Sequence, residues 1–395
     1  MKTSIIISAI TSSFLCFNQP LKAATTNLVA TSTYLGINVA QTLPPETSSK
    51  IQVALLFDTS NSMDGLLEQA KSRLWDVVNT LTTLKYEGKT PTIEIALYEY
   101  GNQGLSSKTN YIRQVTALTT DLDLISEKLF ALKTNGGDEF CGAVIQTSVN
   151  ELKWDDARST MKLIYISGNE SFDQGSVNYK TAISAALKSD IYVNTIYCGN
   201  QQEGISLFWQ DAALNGRGKY FNIDSDEKIE YIKTPYDDQI NACNDKLNNT
   251  YIGYGKQGGL KKQSQVAQDA NAKSISLENN AARVVSKSKA VYKNSSWDLV
   301  DNYKDDATNI DKLKTEDLPV EFKNKTKEQI KVMIAEKAKE REAVQKEIGE
   351  LAVKRQKYMT EAAKAKTKNT KDDLGTAIKS SIIVFAKIKG YQVEQ

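Results

Sequence analysis

The chain has 395 residues, with 50 Lys and Arg against 48 Asp and Glu, 6 prolines, 4 cysteines and no histidine. Without an imidazole there is no Ser-His-Asp or Cys-His catalysis, no histidine-ligated zinc or haem and no histidine pH switch, so any metal must be held by oxygen or thiolate. The length exceeds what one hydrophobic core usually organises and implies two or three domains.

Met1 and Lys2 precede an apolar run from Ile5 to Phe17, and the small residues Ala23 and Ala24 follow. This is the pattern of a secretory signal peptide over residues 1–23, which places the mature protein in the periplasm or outside the cell. The apolar run is too short to span a bilayer and no later segment is long enough, so no transmembrane segment is expected. Residues 24–48, rich in Thr, Ser and Asn, read as a linker. Beyond it the charge separates: residues up to 249 carry an excess of acid and residues 250–395 an excess of base, which implies two parts of different character. Cys141, Cys198 and Cys243 survive processing, and an oxidising compartment allows two of them to pair without the spacing saying which. They form no CxxC motif, which argues against zinc and thioredoxin-type chemistry.

The first strong element is the apolar run 51–57, suited to a strand covered on both faces and ending at Asp58. A helix-period segment follows over 65–84, with Leu66, Ala70, Leu74, Val77, Val78 and Leu81 on one face. Then come a strand over 93–100, helices over 122–132 and 143–152, a strand over 162–167, a helix over 176–188, a strand over 191–197, a helix over 205–214 and a short strand over 219–223. The alternation predicts an α/β domain over 49–230, a doubly wound and mainly parallel sheet with helices on both faces. Ligands of such sheets bind beyond the carboxyl ends of the strands.

The unusual residues fall at those ends. Asp58-Thr59-Ser60-Asn61-Ser62 lies between the first strand and the first long helix, and its Asp-x-Ser-x-Ser spacing resembles the metal ion-dependent adhesion site of von Willebrand factor type A domains. The resemblance implies that Ser60 and Ser62 bind a divalent cation directly, that Asp58 helps through water, and that one position stays open for an acidic group of a protein or polymer partner. Oxygen-only ligation suits Mg²⁺, with Mn²⁺ or Ca²⁺ as substitutes. Read alone, the pentapeptide is equally a helix cap. The loop Thr134-Asn135-Gly136-Gly137-Asp138-Glu139 resembles the family's second metal loop, with Asp138 at the ligand position counted back from Gly142 and Thr134 as a further candidate. The third loop, Ser167-Gly168-Asn169-Glu170, has Gly168 where the family has an aspartate. A carboxylate gained at Asp138 offsets the one missing at Gly168, and Asn169, Glu170 and Glu139 stand as further metal or outer ligands. Further likeness runs through Val193–Gly199, Trp209, Ala212 and Gly218-Lys219-Tyr220, as in a secreted bacterial branch of the family.

Residues 231–300 read as a helical extension packed on this domain. The glycines of 253–259 lack the Lys-Ser/Thr ending of a phosphate loop and read as turns. A polar helix covers 263–289, and the cluster Tyr292, Trp297, Leu299 and Val300 reads as a docking contact against the sheet domain. In 301–395 a long helix starts after Thr326, its apolar seam (Ile330, Ile334, Val344, Ile348, Leu351, Tyr358) interrupted by Lys337, Arg341 and Arg355. That pattern disfavours a continuous coiled coil and favours an antiparallel hairpin with a final helix over 374–389, leaving self-association through these helices as an option. Lysines alternate with glutamates as on a solvated face, so nucleic acid is not expected as a partner.

The sequence thus reads as an exported type A domain protein with a divalent cation site and an all-α C-terminal region, mediating metal-dependent binding or assembly, and with no catalytic constellation. The alternatives are a metal-assisted hydrolase using Glu139 or Glu170 as base, and a structural cell-envelope protein with a vestigial site.

Overall fold

The computed structural model describes residues 49–365 and 373–394. The expected signal peptide and linker, residues 1–48, lie outside the described residues.

Strand β1 (Lys50–Asp58) shows why a central strand forms here. Ile51, Val53, Leu55 and Phe57 face one side and Ala54 and Leu56 the other, and all are buried, so both faces need cover. After α1 (Asp64–Thr82) and the short β2 (Leu84–Lys85), β3 (Thr92–Tyr100) pairs with β1 in parallel, with Asp58 opposite Tyr100. The edge strand β4 (Ile112–Thr119) is antiparallel to β3. Helices α2 (Leu122–Ala131) and α3 (Cys141–Glu151) lead to β5 (Met161–Gly168), which pairs with the other side of β1. Then follow α4 (Tyr179–Lys188), β6 (Ile191–Cys198), α5 (Gln201–Ser206), α6 (Trp209–Asn215) and β7 (Arg217–Ile223). The sheet order is β4-β3-β1-β5-β6-β7, parallel except for β4. The chain moves from β1 to β3 on one side and later to β5 on the other, so the switch point lies at the carboxyl end of β1, between Tyr100 and Gly168.

The predicted α/β alternation holds, with three local differences. The edge strand β4 was not anticipated, because exposed Arg113, Gln114 and Ala117 break its apolar pattern. The helix expected over 205–214 is two short helices, divided at Phe208, whose backbone is left-handed with φ 68°. The helix expected over 263–289 is likewise two, α8 (Gly258–Ile275) and α9 (Leu277–Lys287), because Ser276 is extended and caps α9 by accepting from the amide of Asn279.

Between β7 and the final helix the chain builds α7 (Asp237–Asn248), α8, α9, α10 (Leu299–Asp305), α11 (Asn309–Lys312) and the 39-residue α12 (Lys327–Ala365), about 58 Å long. Helix α9 packs on α1 and α8 on α2. Two of the polar residues interrupting the α12 seam are buried ion pairs rather than surface charges. Arg341 meets Asp298 and Asp301 at 2.6 and 2.7 Å and lies over the Tyr251 ring, and Arg355 meets Asp237 at 2.7 Å. The expected aromatic cluster divides: Tyr292 donates to Asp123 of α2 and Trp297 stacks on Tyr251, whereas Leu299 and Val300 join a separate small core with Ile330 and Ile334 of α12.

The last helix, α13 (Leu374–Ile388), does not form the expected hairpin with α12. Leu374, Ile378, Ile382 and Phe385 lie on the face of α13 that packs on α1 and on the β5–β6–β7 side of the sheet, and the Tyr165 and Ser381 hydroxyls are hydrogen-bonded. The chain then ends in β8 (Gln392–Val393), antiparallel to β2, while Tyr391 Oη donates to the carbonyls of Lys50 and Ser159, both at 2.8 Å. The apolar stripe of α13 needs a broad apolar face, and α1 with the sheet supplies one. Gln69 ties the chain's exit to its return, donating to the carbonyl of Asp224 at 2.6 Å and accepting from the amide of Leu374 at 3.2 Å.

The three described cysteines, Cys141, Cys198 and Cys243, are buried and free, so no two of them are paired. No described helix is long and apolar enough to cross a membrane.

Candidate metal centre

Asp58 is the last residue of β1 and is fully buried. Its Oδ1 accepts from the Ser60 amide at 2.7 Å, closing the tight loop that turns the chain into α1. Its Oδ2 is buried with no hydrogen-bond partner, an expensive condition for a carboxylate oxygen. The Ser60 and Ser62 hydroxyls are 3.2 Å apart. Ser62 is exposed at the rim and accepts from the Asn169 amide at 3.1 Å. The two hydroxyls, Asp58 and Asn169 are therefore neighbours.

Backbone contacts fix the second loop. The Asn135 amide donates to the Thr59 carbonyl at 2.9 Å and the Gln103 amide to the Gly136 carbonyl at 2.6 Å. A Cβ on Gly137 would lie 2.3 Å from the Gly101 carbonyl oxygen, so only glycine permits this approach. Pressed flat here, the loop turns Glu139 inward and Asp138 outward. Glu139 is 7% exposed and faces the Ser60 hydroxyl. Thr134 is drawn away from the centre, donating to Asp64 Oδ1.

The third loop departs most from expectation. A Cβ on Gly168 would lie 2.7 Å from Tyr100 Oη and 3.0 Å from Asp58 Oδ2, so no side chain fits there without displacement. Tyr100 is buried and donates to the Ser167 carbonyl at 3.0 Å, with Cys141 Sγ at 3.7 Å from its hydroxyl. Tyr100 and Gly101 escape notice from sequence, although a tyrosine and a glycine ending the strand beside β1 are a usable signal. Glu170 is exposed, its carboxylate accepting from Gln174 at 3.3 Å and its carbonyl from buried Trp209 at 2.7 Å.

Burial pushes the Asp58 carboxyl up to about 8; the Ser60 amide opposes this and the charges of Glu139 and Glu170 add to it. Burial, then the charge of Glu170, pushes Glu139 up to about 7, against the pull of the Ser60 hydroxyl. Among the described residues no three His, Cys, Asp or Glu side chains converge on one point. A cation here would need the serine hydroxyls as well as carboxylate oxygen. That donor set, all oxygen and including one orphaned buried atom, fits a hard divalent ion. Beside it, a cleft of about 400 Å³ opens between α1 and residues 132–134, lined by Asp64, Leu67, Glu68, Lys71, Leu132, Lys133 and Thr134.

No family model matches the chain, and no curated protein does. Among solved structures it is similar to proximal thread matrix protein 1 from the mussel byssus, a structure with a zinc-occupied MIDAS motif, at 12% identity and TM-score 0.35 over 46% of this chain and 43% of that one. It is also similar to an aerotolerance-related membrane protein from Bacteroides fragilis, at 15% identity and TM-score 0.32 over 44% of this chain and 92% of that one. A third is the pilus adhesin SpaC from Lactobacillus rhamnosus GG, at 11% identity and TM-score 0.33 over 45% of this chain and 28% of that one. The chain spans less than half the length of the mussel protein and of the adhesin. Likeness at this level carries no functional argument. By its own sheet order, its antiparallel edge strand and the loops at its strand ends, the described chain has the von Willebrand factor type A fold.

Proposed function

We propose that the protein is exported and binds a divalent cation, Mg²⁺ or in its place Mn²⁺ or Ca²⁺, through Asp58, Ser60 and Ser62, and that the cation serves metal-dependent binding of a protein or polymer. The observation that carries this reading is Asp58 Oδ2, buried without a partner beside two serine hydroxyls 3.2 Å apart. A cation would satisfy that oxygen and offset the crowding of negative charge around it. The open rim at Ser62 and Asn169, with the adjoining cleft, leaves room for a partner to approach. When bound, the cation supplies a fixed positive charge. The chain's own residues position it, and the Ser60 amide holds Asp58 in place. The test is the melting temperature of residues 24–395 in EDTA and then in rising Mg²⁺ or Mn²⁺, beside a Ser60→Ala/Ser62→Ala variant. A native state that binds the ion must gain stability by mass action. A rise in the wild type alone supports the reading, and no response up to millimolar cation removes it.

A further inference from the structure

Spacing suggests Asp138 as the carboxylate that accompanies Asp58, and the geometry favours another. Asp58 Oδ1 and Glu139 Cγ both lie within 3 Å of the point where a Cβ on Gly101 would stand, at 2.9 and 2.8 Å. The two acids thus press on the same glycine from two loops, and Gly101, at φ 77°, is the residue that lets them approach. The Ser60 hydroxyl is close to both carboxyls. Asp138 is exposed on the other side of the loop. The position where a third-loop carboxylate would enter is closed by Tyr100 Oη and by Asp58 itself.

We infer that Glu139, not Asp138, is the second carboxylate of the cation site. This rests on the cation-binding reading above. Asp58 Oδ2, buried and unpartnered, is the independent sign that the acidic pair is a site and not merely a crowded surface.

One experiment on residues 24–395 tests this. Mn²⁺ affinity is measured by titration calorimetry for the wild type, Glu139→Gln and Asp138→Asn. The expected result is a loss of at least about tenfold for Glu139→Gln, with Asp138→Asn close to wild type, and a cation-free Glu139→Gln melting no lower than the wild type because a buried like charge is gone. Unchanged affinity in Glu139→Gln overturns the assignment while leaving cation binding intact; a wild type that binds no Mn²⁺ overturns both.

Discussion

Asp58 and Gly168 close the carboxyl ends of β1 and β5 so tightly that a Cβ on Gly168 would stand 3.0 Å from Asp58 Oδ2. The glycine is therefore a packing requirement, because Tyr100 Oη occupies the remaining space at 2.7 Å. Gly168→Ala should destabilise by about 1–3 kcal/mol, as expected of overpacking, and Gly168→Asp by more. Tyr100→Phe in the same chain should recover part of the loss by removing the nearest atom. Urea unfolding of the three variants checks this, and a Gly168→Asp protein as stable as wild type would contradict it.

Without a cation, the native state should lose stability as pH rises from about 4 to about 8. Burial raises Asp58 to about 8 and Glu139 to about 7, while in the unfolded chain both titrate near 4. In that window the native state binds more protons than the unfolded one, so raising the pH favours unfolding. A cation takes over the protons' role, so its stabilising effect should be small at pH 5 and largest at pH 8. Melting curves in EDTA and in Mg²⁺ across this range measure both slopes, and an EDTA series that stays flat would count against the buried acids as described.

Arg283 of α9 is fully buried between Asp123 of α2 and Asp269 of α8, at 2.8 and 2.6 Å, with its guanidinium 4.6 Å from the centre of the Trp75 ring. Asp123 also accepts from Tyr292. Asp123→Ala removes two hydrogen bonds and leaves a buried cation short of charge, which should cost about 3–5 kcal/mol. The predicted sign is a lower urea midpoint, and a loss below about 1 kcal/mol would mean the network can rearrange.

These contacts mark where the sequence was readable. β1, β5 and β6 announce themselves because a strand buried on both faces is mostly apolar, and the Asp58–Ser62 loop because its spacing is local. Arg341 and Arg355 read only as interruptions of the α12 seam, since the acids that pair with them, Asp298 and Asp237, lie on other segments of the chain. The face of α13 is legible as a periodic stripe, but periodicity names a face and never its partner. Asp138 and Glu139 are adjacent, so spacing barely separates them; the contact of Gly137 with the Gly101 carbonyl turns one in and the other out.

A chain ending at residue 372 should fail to form a stable sheet domain. It loses Leu374, Ile378, Ile382 and Phe385 from the core, each contributing about 1.5–3 kcal/mol of burial, together with the Arg73–Asp373 ion pair and the β2–β8 pairing. A peptide of residues 373–395 added in trans should restore ellipticity and a cooperative melt. Unchanged melting of the truncated chain would show that α13 is dispensable.

The position of α13 also sets the timing of folding. A ribosome delivers β7 and then the whole of α7 to α12 before the helix that closes one face of the sheet, and at roughly 5–20 residues per second that interval is on the order of ten seconds. Throughout it the apolar side of α1 waits for its cover. The sheet, begun first, is thus among the last parts to be completed, and a stop codon placed just before α13 would leave one of its faces bare.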